Sequence, residues 1–215
     1  MCKVKVKVCG LKRLEDIEYI NEFLPDFAGF VFTVSKRRVM VEHAIELTRA
    51  MNKSIKKVGV FVNEEKESIL QILNAVDLDV IQLHGDETCD YIKELRTWIS
   101  DIRKNIKIWK SVRVKNEKSL ESIRVFDVDA VLLDSFDPGV YGGSGSTFDW
   151  ELLSSFKAGK RIILAGGLNA SNVREAVLKI NPYTVDVSSG VEIGGVKDRG
   201  KIKEFIKVVR NINSK

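Results

Sequence analysis

The chain has 215 residues, 44% hydrophobic and 30% charged, which is enough apolar content for a core and too much for a disordered polymer. Its 35 Lys and Arg are interspersed with 30 Asp and Glu, so a net charge of +5 describes a diffuse field rather than the concentrated basic face of a nucleic-acid reader. Three cysteines exclude a disulfide scaffold, no run approaches the ~18 apolar residues of a membrane span, and the opening MCKVKVKVCG lacks the apolar segment of a secretory signal.

Two kinds of segment alternate along the chain. Short β-branched or apolar runs at 4–8, 28–32, 58–62, 80–83, 106–112, 130–133, 162–165 and 185–187 predict strands, and the continuously apolar ones suit a sheet covered on both faces. Between them, helical spacing recurs. A weakly patterned helix is expected at 14–24. A stronger one follows, carrying Ala44, Leu47, Thr48 and Met51, and the next carries Ile69, Ile72, Leu73 and Val76. Weaker patterns occupy 87–99, 117–125 and 149–157. The last two helices carry Val173, Ala176, Val177 and Ile180, then Ile202, Phe205, Ile206 and Val209; Asn169 and Asp198 are placed to cap them.

Eight strand–helix units in this length allow roughly 27 residues each, about what a short strand, a helix and two tight loops need. Strict alternation implies a parallel sheet, and the fold expected is α/β: one (β/α)8 TIM barrel of eight parallel strands spanning 1–215 as a single domain. An open doubly wound sheet is the competitor, but the CGLKRLED that follows strand one has no spaced glycine triplet for a dinucleotide. Eleven of the fifteen glycines fall at or after Gly139, so tight turns and close backbone approaches concentrate in the last third.

In a barrel the active site gathers at the C-terminal strand ends. There the chain offers Cys9, Phe32, Asn63, His84, Arg113, Asp134, Gly166 and Ser188. Cys9 is either a small buried apolar side chain or a base, the latter if nearby cations lower its pKa. Asp134 ends AVLLD and is followed by no helical pattern, so a capping role is weak and a general-acid role open. Gly166-Gly167 after strand seven and Ser188-Ser189-Gly190 after strand eight form two turns with unobstructed N–H groups, where barrels commonly bind phosphate. The GGSGS of 142–146 lacks the Gly-Lys-Ser/Thr ending of a nucleotide loop. Arg37 and Arg38 could grip a carboxylate or be solvated, and His84 could line the site or bond a neighbouring carbonyl. Trp98 and Trp109 read as packing residues. Cys2 and Cys89 have no such placement, and with two histidines and no C-x-x-C pair neither a metal nor another cofactor is expected.

The segments KVCGLKRLEDI, GFVFTVSKRRV, VGVFVN, DVIQLHGDE, VLLDS, YGGSGSTFDW, AGGLN, VDVSSGVE and GVKD, in this order over nearly the whole chain, resemble the phosphoribosylanthranilate isomerase family of tryptophan biosynthesis. The resemblance implies an Amadori rearrangement of N-(5-phosphoribosyl)anthranilate to the corresponding aminoketose. Asp134 then matches a general acid that opens the furanose ring, and Cys9 a general base that removes the C2′ proton. Arg37 matches the residue contacting the anthranilate carboxylate, with Arg38 beside it as an ambiguity. Gly166, Gly167, Ser188 and Ser189 match the phosphate turns, Asp186 a supporting carboxylate, and Gln82 and His84 site-lining positions. Ser146 departs from the lysine usual before TFDW.

Two other readings stay open: another phosphate-binding barrel enzyme, of the pentose-phosphate epimerase or indole-glycerol-phosphate synthase type, and a non-catalytic sugar-phosphate sensor. The expected partner is a small phosphorylated aminoaldose, with no nucleic acid or membrane involved. A reduced, cytoplasmic setting is the default. Both a monomer and a homodimer are compatible with the sequence.

Overall fold

The computed structural model describes residues 3–103, 105–114, 117–135 and 159–213. Eight strands form a closed barrel in chain order: β1 (Lys5–Cys9), β2 (Phe27–Val31), β3 (Lys56–Phe61), β4 (Val80–Leu83), β5 (Lys107–Val114), β6 (Ala130–Ser135), β7 (Arg161–Leu164) and β8 (Thr184–Val187). All neighbours are parallel, and β8 closes onto β1 through Lys5–Thr184 to Val8–Val187. Every expected strand is present, with no boundary moved by more than two residues.

Outside the barrel lie α1 (Leu14–Phe23), α2 (Val41–Ala50), α3 (Lys66–Ala75), α4 (Cys89–Ile102), α5 (Glu117–Glu121), α6 (Val173–Ile180) and α7 (Arg199–Asn213). The helix expected at 117–125 is split, since α5 passes into a 3-10 turn at Ser122–Val125. The helix expected at 149–157, the 142–146 loop and Ser146 lie outside the described residues. Asp198 caps α7, its Oδ1 accepting the N–H of Lys201 at 2.8 Å. Asn169 Oδ1 accepts the N–H groups of Ser171 and Asn172 and so caps the turn that leads into α6.

Side chains alternate across each strand, and the two faces meet different surroundings. Outward residues such as Val6, Val8, Phe30, Ile81 and Leu133 pack under the helices in one large buried shell, each contributing about 1.5–3 kcal/mol by leaving water. Inward residues fill the barrel: Phe27, Val58, Val80, Trp109, Ala130, Leu132 and Ile163 make a closed lower plug, with Phe27 and Trp109 edge to face at 4.9 Å. The alternation of β1 therefore turns its valines outward and Lys7 inward, where that lysine is fully buried. A short hairpin absent from the sequence expectations, β9 (Glu192–Ile193) with β10 (Val196–Lys197), follows β8. Among the described residues no helix is long and apolar enough to cross a membrane.

Candidate active site

Above the plug, at the C-terminal strand ends, opens a cleft of about 970 Å³, part of it continuous with solvent. Its lining includes Cys9, Arg37, Gln82, His84, Asp134, Gly166, Gly167, Asp186, Ser188 and Ser189. Residues up to 180 positions apart in sequence are thus gathered by one geometric fact, that parallel strands in a closed barrel all end on the same side. Arg38 is exposed and outside the lining, so Arg37 is the arginine of that pair that faces the cleft. Trp109 is buried as expected, whereas Trp98 is only half-buried, its ring lying under the Lys66 ammonium on the helical surface.

Cys9 ends β1 with its thiol on the cleft floor, packed with Val31 and Val60. A base there was expected to be activated by cations, and cations are present: Lys7 and Lys197 both favour the thiolate. Burial outweighs them and pushes the thiol up, with the negative Asp186 adding to that. Beneath Cys9, Lys7 Nζ lies 2.8 Å from Asp186 Oδ2 across the β1–β8 pair. Asp186 Oδ1 has no hydrogen-bond partner among the described residues.

Asp134 is buried on the inner face of β6, its Oδ2 3.3 Å from Nε2 of His84. The imidazole is held from its other side by Gln82, whose side-chain nitrogen sits 2.9 Å from Nδ1. With the amide donating there, a neutral ring carries its proton on Nε2, facing the carboxylate. Gln82 Oε1 is buried and has no hydrogen-bond partner among the described residues, leaving a second acceptor at the cleft wall.

Arg37 reaches back over β1 and donates through Nε and Nη2 to the two oxygens of Glu192, each at 2.8 Å. Lys197 binds the same carboxylate at 2.7 Å and the carbonyl of Ser188 at 3.0 Å. Those two cations, with their hydrogen bonds, hold the Glu192 carboxyl down at about 2 against the opposing effect of burial. Lys197 itself is lowered by burial, a cost its partner only partly offsets. The network ties the arginine to the turn after β8, and Ser188 in turn donates to the Cys9 carbonyl at 3.1 Å.

The turns after β7 and β8 face each other across the cleft rim. Gly166 and Gly167 have φ of 84° and 61°, values that favour glycine, and they leave the backbone uncovered. The turns also touch: a Cβ at Gly190 would fall 1.9 Å from the Leu168 carbonyl oxygen. Such turns present N–H groups to an anion without needing a lysine. Among the described residues no cluster of three or more His, Cys, Asp or Glu could hold a metal ion.

The model of the N-(5'phosphoribosyl)anthranilate (PRA) isomerase family matches residues 6–208. The chain belongs to this family. It is 55% identical to the N-(5'-phosphoribosyl)anthranilate isomerase of Acetivibrio thermocellus, with 95% of each chain covered. Against the enzyme of Thermoanaerobacter sp. the identity is 52%, covering 97% of this chain and 99% of the other. Among solved structures, the phosphoribosyl anthranilate isomerase of Thermotoga maritima superposes with a TM-score of 0.83 at 40% identity, over 97% of this chain and 99% of that one. A family structure in complex with reduced 1-(o-carboxyphenylamino)-1-deoxyribulose 5-phosphate superposes at 0.80 with 38% identity, over the same shares. A Streptococcus mutans KGPDC, at 14% identity and TM-score 0.72 over 97% of this chain and 98% of its own, shares the fold alone. As a family member the protein is an isomerase of tryptophan biosynthesis.

Three side chains that shape this isomerase cleft were not among the residues expected from sequence: Lys7, Glu192 and Lys197. Lys7 carried a readable signal, since a lysine at period two in a strand covered on both faces must point into the barrel. Glu192 and Lys197 lie inside the VDVSSGVE and GVKD segments, but no local pattern announced their pairing, which depends on a hairpin of two-residue strands.

Proposed function

We propose that the protein converts N-(5-phosphoribosyl)anthranilate to 1-(2-carboxyphenylamino)-1-deoxyribulose 5-phosphate, with Asp134 as general acid and Cys9 as general base. The observation that carries this reading is that the buried carboxyl group of Asp134 on β6 and the buried thiol of Cys9 on β1 line one cleft, with the Gly166-Gly167 and Ser188-Ser189 turns of the intervening β7 and β8 between them. Asp134 gives its proton to the furanose ring oxygen, and the C1′–O4′ bond breaks to an open-chain Schiff base. The carboxylate so formed accepts the Nε2–H of His84, which the bond from Gln82 keeps aimed at it. The Cys9 thiolate then removes the C2′ proton, and the electron pair moves to the imine to give an enolamine, which tautomerises to the ketone. The Cys9 thiol then gives its proton up to solvent and Asp134 takes one back, so atoms and charge balance over the cycle.

Binding follows from the same geometry. The backbone turns at Gly166-Gly167 and Ser188-Ser189 take the phosphate, Arg37 takes the anthranilate carboxylate, and the unpartnered oxygens of Asp186 and Gln82 accept sugar hydroxyl protons. The test follows loss of substrate fluorescence with freshly prepared phosphoribosylanthranilate. Cys9→Ala and Asp134→Asn are each expected to lower turnover by about 10² or more. Wild-type rates in both variants would reject the assignment.

A further inference from the structure

We infer that Lys7 is a positioning residue for this reaction: fixed beneath the cleft floor by Asp186, its ammonium sits under Cys9 and favours, over the buried thiol, the thiolate that takes the proton from carbon. The inference rests on Cys9 being the base of the proposed reaction. Lys7 and Cys9 lie two residues apart on the same inward face of β1, so their side chains follow one another along the barrel axis. Lys7 is fully buried, and an ammonium in that position is unfavourable by several kcal/mol unless anions surround it. Asp186 supplies one, directly in register on β8 and 2.8 Å away. The ammonium has three N–H groups, and the next inward side chain along β1 is the thiol of Cys9.

A stabilising role alone does not account for the pair. Much of the barrel interior near this depth is apolar, with Val58, Val80, Leu132 and Ile163, and replacing a buried ion pair by a well-packed hydrophobic pair is often neutral or stabilising for a fold. What an apolar pair could not do is place a positive charge under the thiol. The charged groups facing Cys9 are Lys7 on its own strand, Asp186 on β8, Lys197 on β10 and Arg37 on the segment after β2; the neighbouring β2 position is Gly29. Lys197 and Arg37 are committed to Glu192, which leaves Lys7 as the cation on the strand that carries Cys9.

The experiment is a charge cycle on the intact enzyme, with Lys7→Met, Asp186→Asn and the double variant compared with wild type. Iodoacetamide, which loses iodide to the attacking thiolate, reads the thiolate fraction, and the mass of the Cys9 peptide separates this site from the other cysteines. The expected order of rates at pH 7 is Asp186→Asn fastest, then wild type, then the double variant, then Lys7→Met. The last should be slower than wild type by about tenfold or more. The pH at which kcat/KM reaches half its maximum should move upward in Lys7→Met, a shift that general loosening of the barrel does not produce. Equal alkylation of wild type and Lys7→Met across pH would overturn the inference. Should Lys7→Met not fold, the double variant decides, because a rate equal to or above wild type overturns the inference equally. Failure of the underlying reading looks different: Cys9→Ala would keep full turnover while the alkylation order stood.

Discussion

Replacing Glu192 by glutamine isolates the carboxylate that locks Arg37 and Lys197 while keeping its shape. Folding brings that carboxyl to about 2 from an ordinary 4.5. At about 1.4 kcal/mol per pH unit, the difference makes the ionised group worth about 3 kcal/mol of stability at neutral pH. Little of this is lost to solvent screening, because the Glu192 side chain is only 8% exposed. The folded value lies below the unfolded one, so the contribution is complete above 4.5 and fades as pH falls through 4.5 toward 2. Urea unfolding of wild type and Glu192→Gln at a series of pH values reads the difference directly, since the other titrating groups are common to both. A gap of about 3 kcal/mol at pH 7 is expected to shrink to less than half of that at pH 3. A gap that is absent at pH 7, or constant with pH, would refute the reasoning.

Two further outcomes follow from the geometry. Lys110→Met strands the buried Glu87, which lies 3.1 Å from the Lys110 ammonium, and should cost about 3–5 kcal/mol by chemical denaturation. Gly190→Ala drives a Cβ against the Leu168 carbonyl and must part the two rim turns; inorganic phosphate should then inhibit at least ~10-fold more weakly, while far-ultraviolet circular dichroism stays native.

Much of this architecture was legible because it depends on local rules. Runs such as Val80–Leu83 and Ala130–Leu133 are too short for helices and too apolar for anything but a covered sheet, and a rim of strand-end residues follows once the sheet closes. The cleft lining was readable for the same reason, since Cys9, His84 and Asp134 are each identified by where a strand stops. What escaped was pairing. The contacts of Glu192 with Arg37, and of Lys7 with Asp186, join residues 155 and 179 positions apart, and nothing in either local sequence names the partner. The split after α5 escaped too, because a helical apolar period continues through Ile123 although the backbone tightens to a 3-10 turn there.

The aromatic and aliphatic plug that Phe27 and Trp109 help to build has a kinetic consequence. Among the described residues the barrel is stoppered at its lower end, so exchange with solvent runs through the mouth at the C-terminal strand ends.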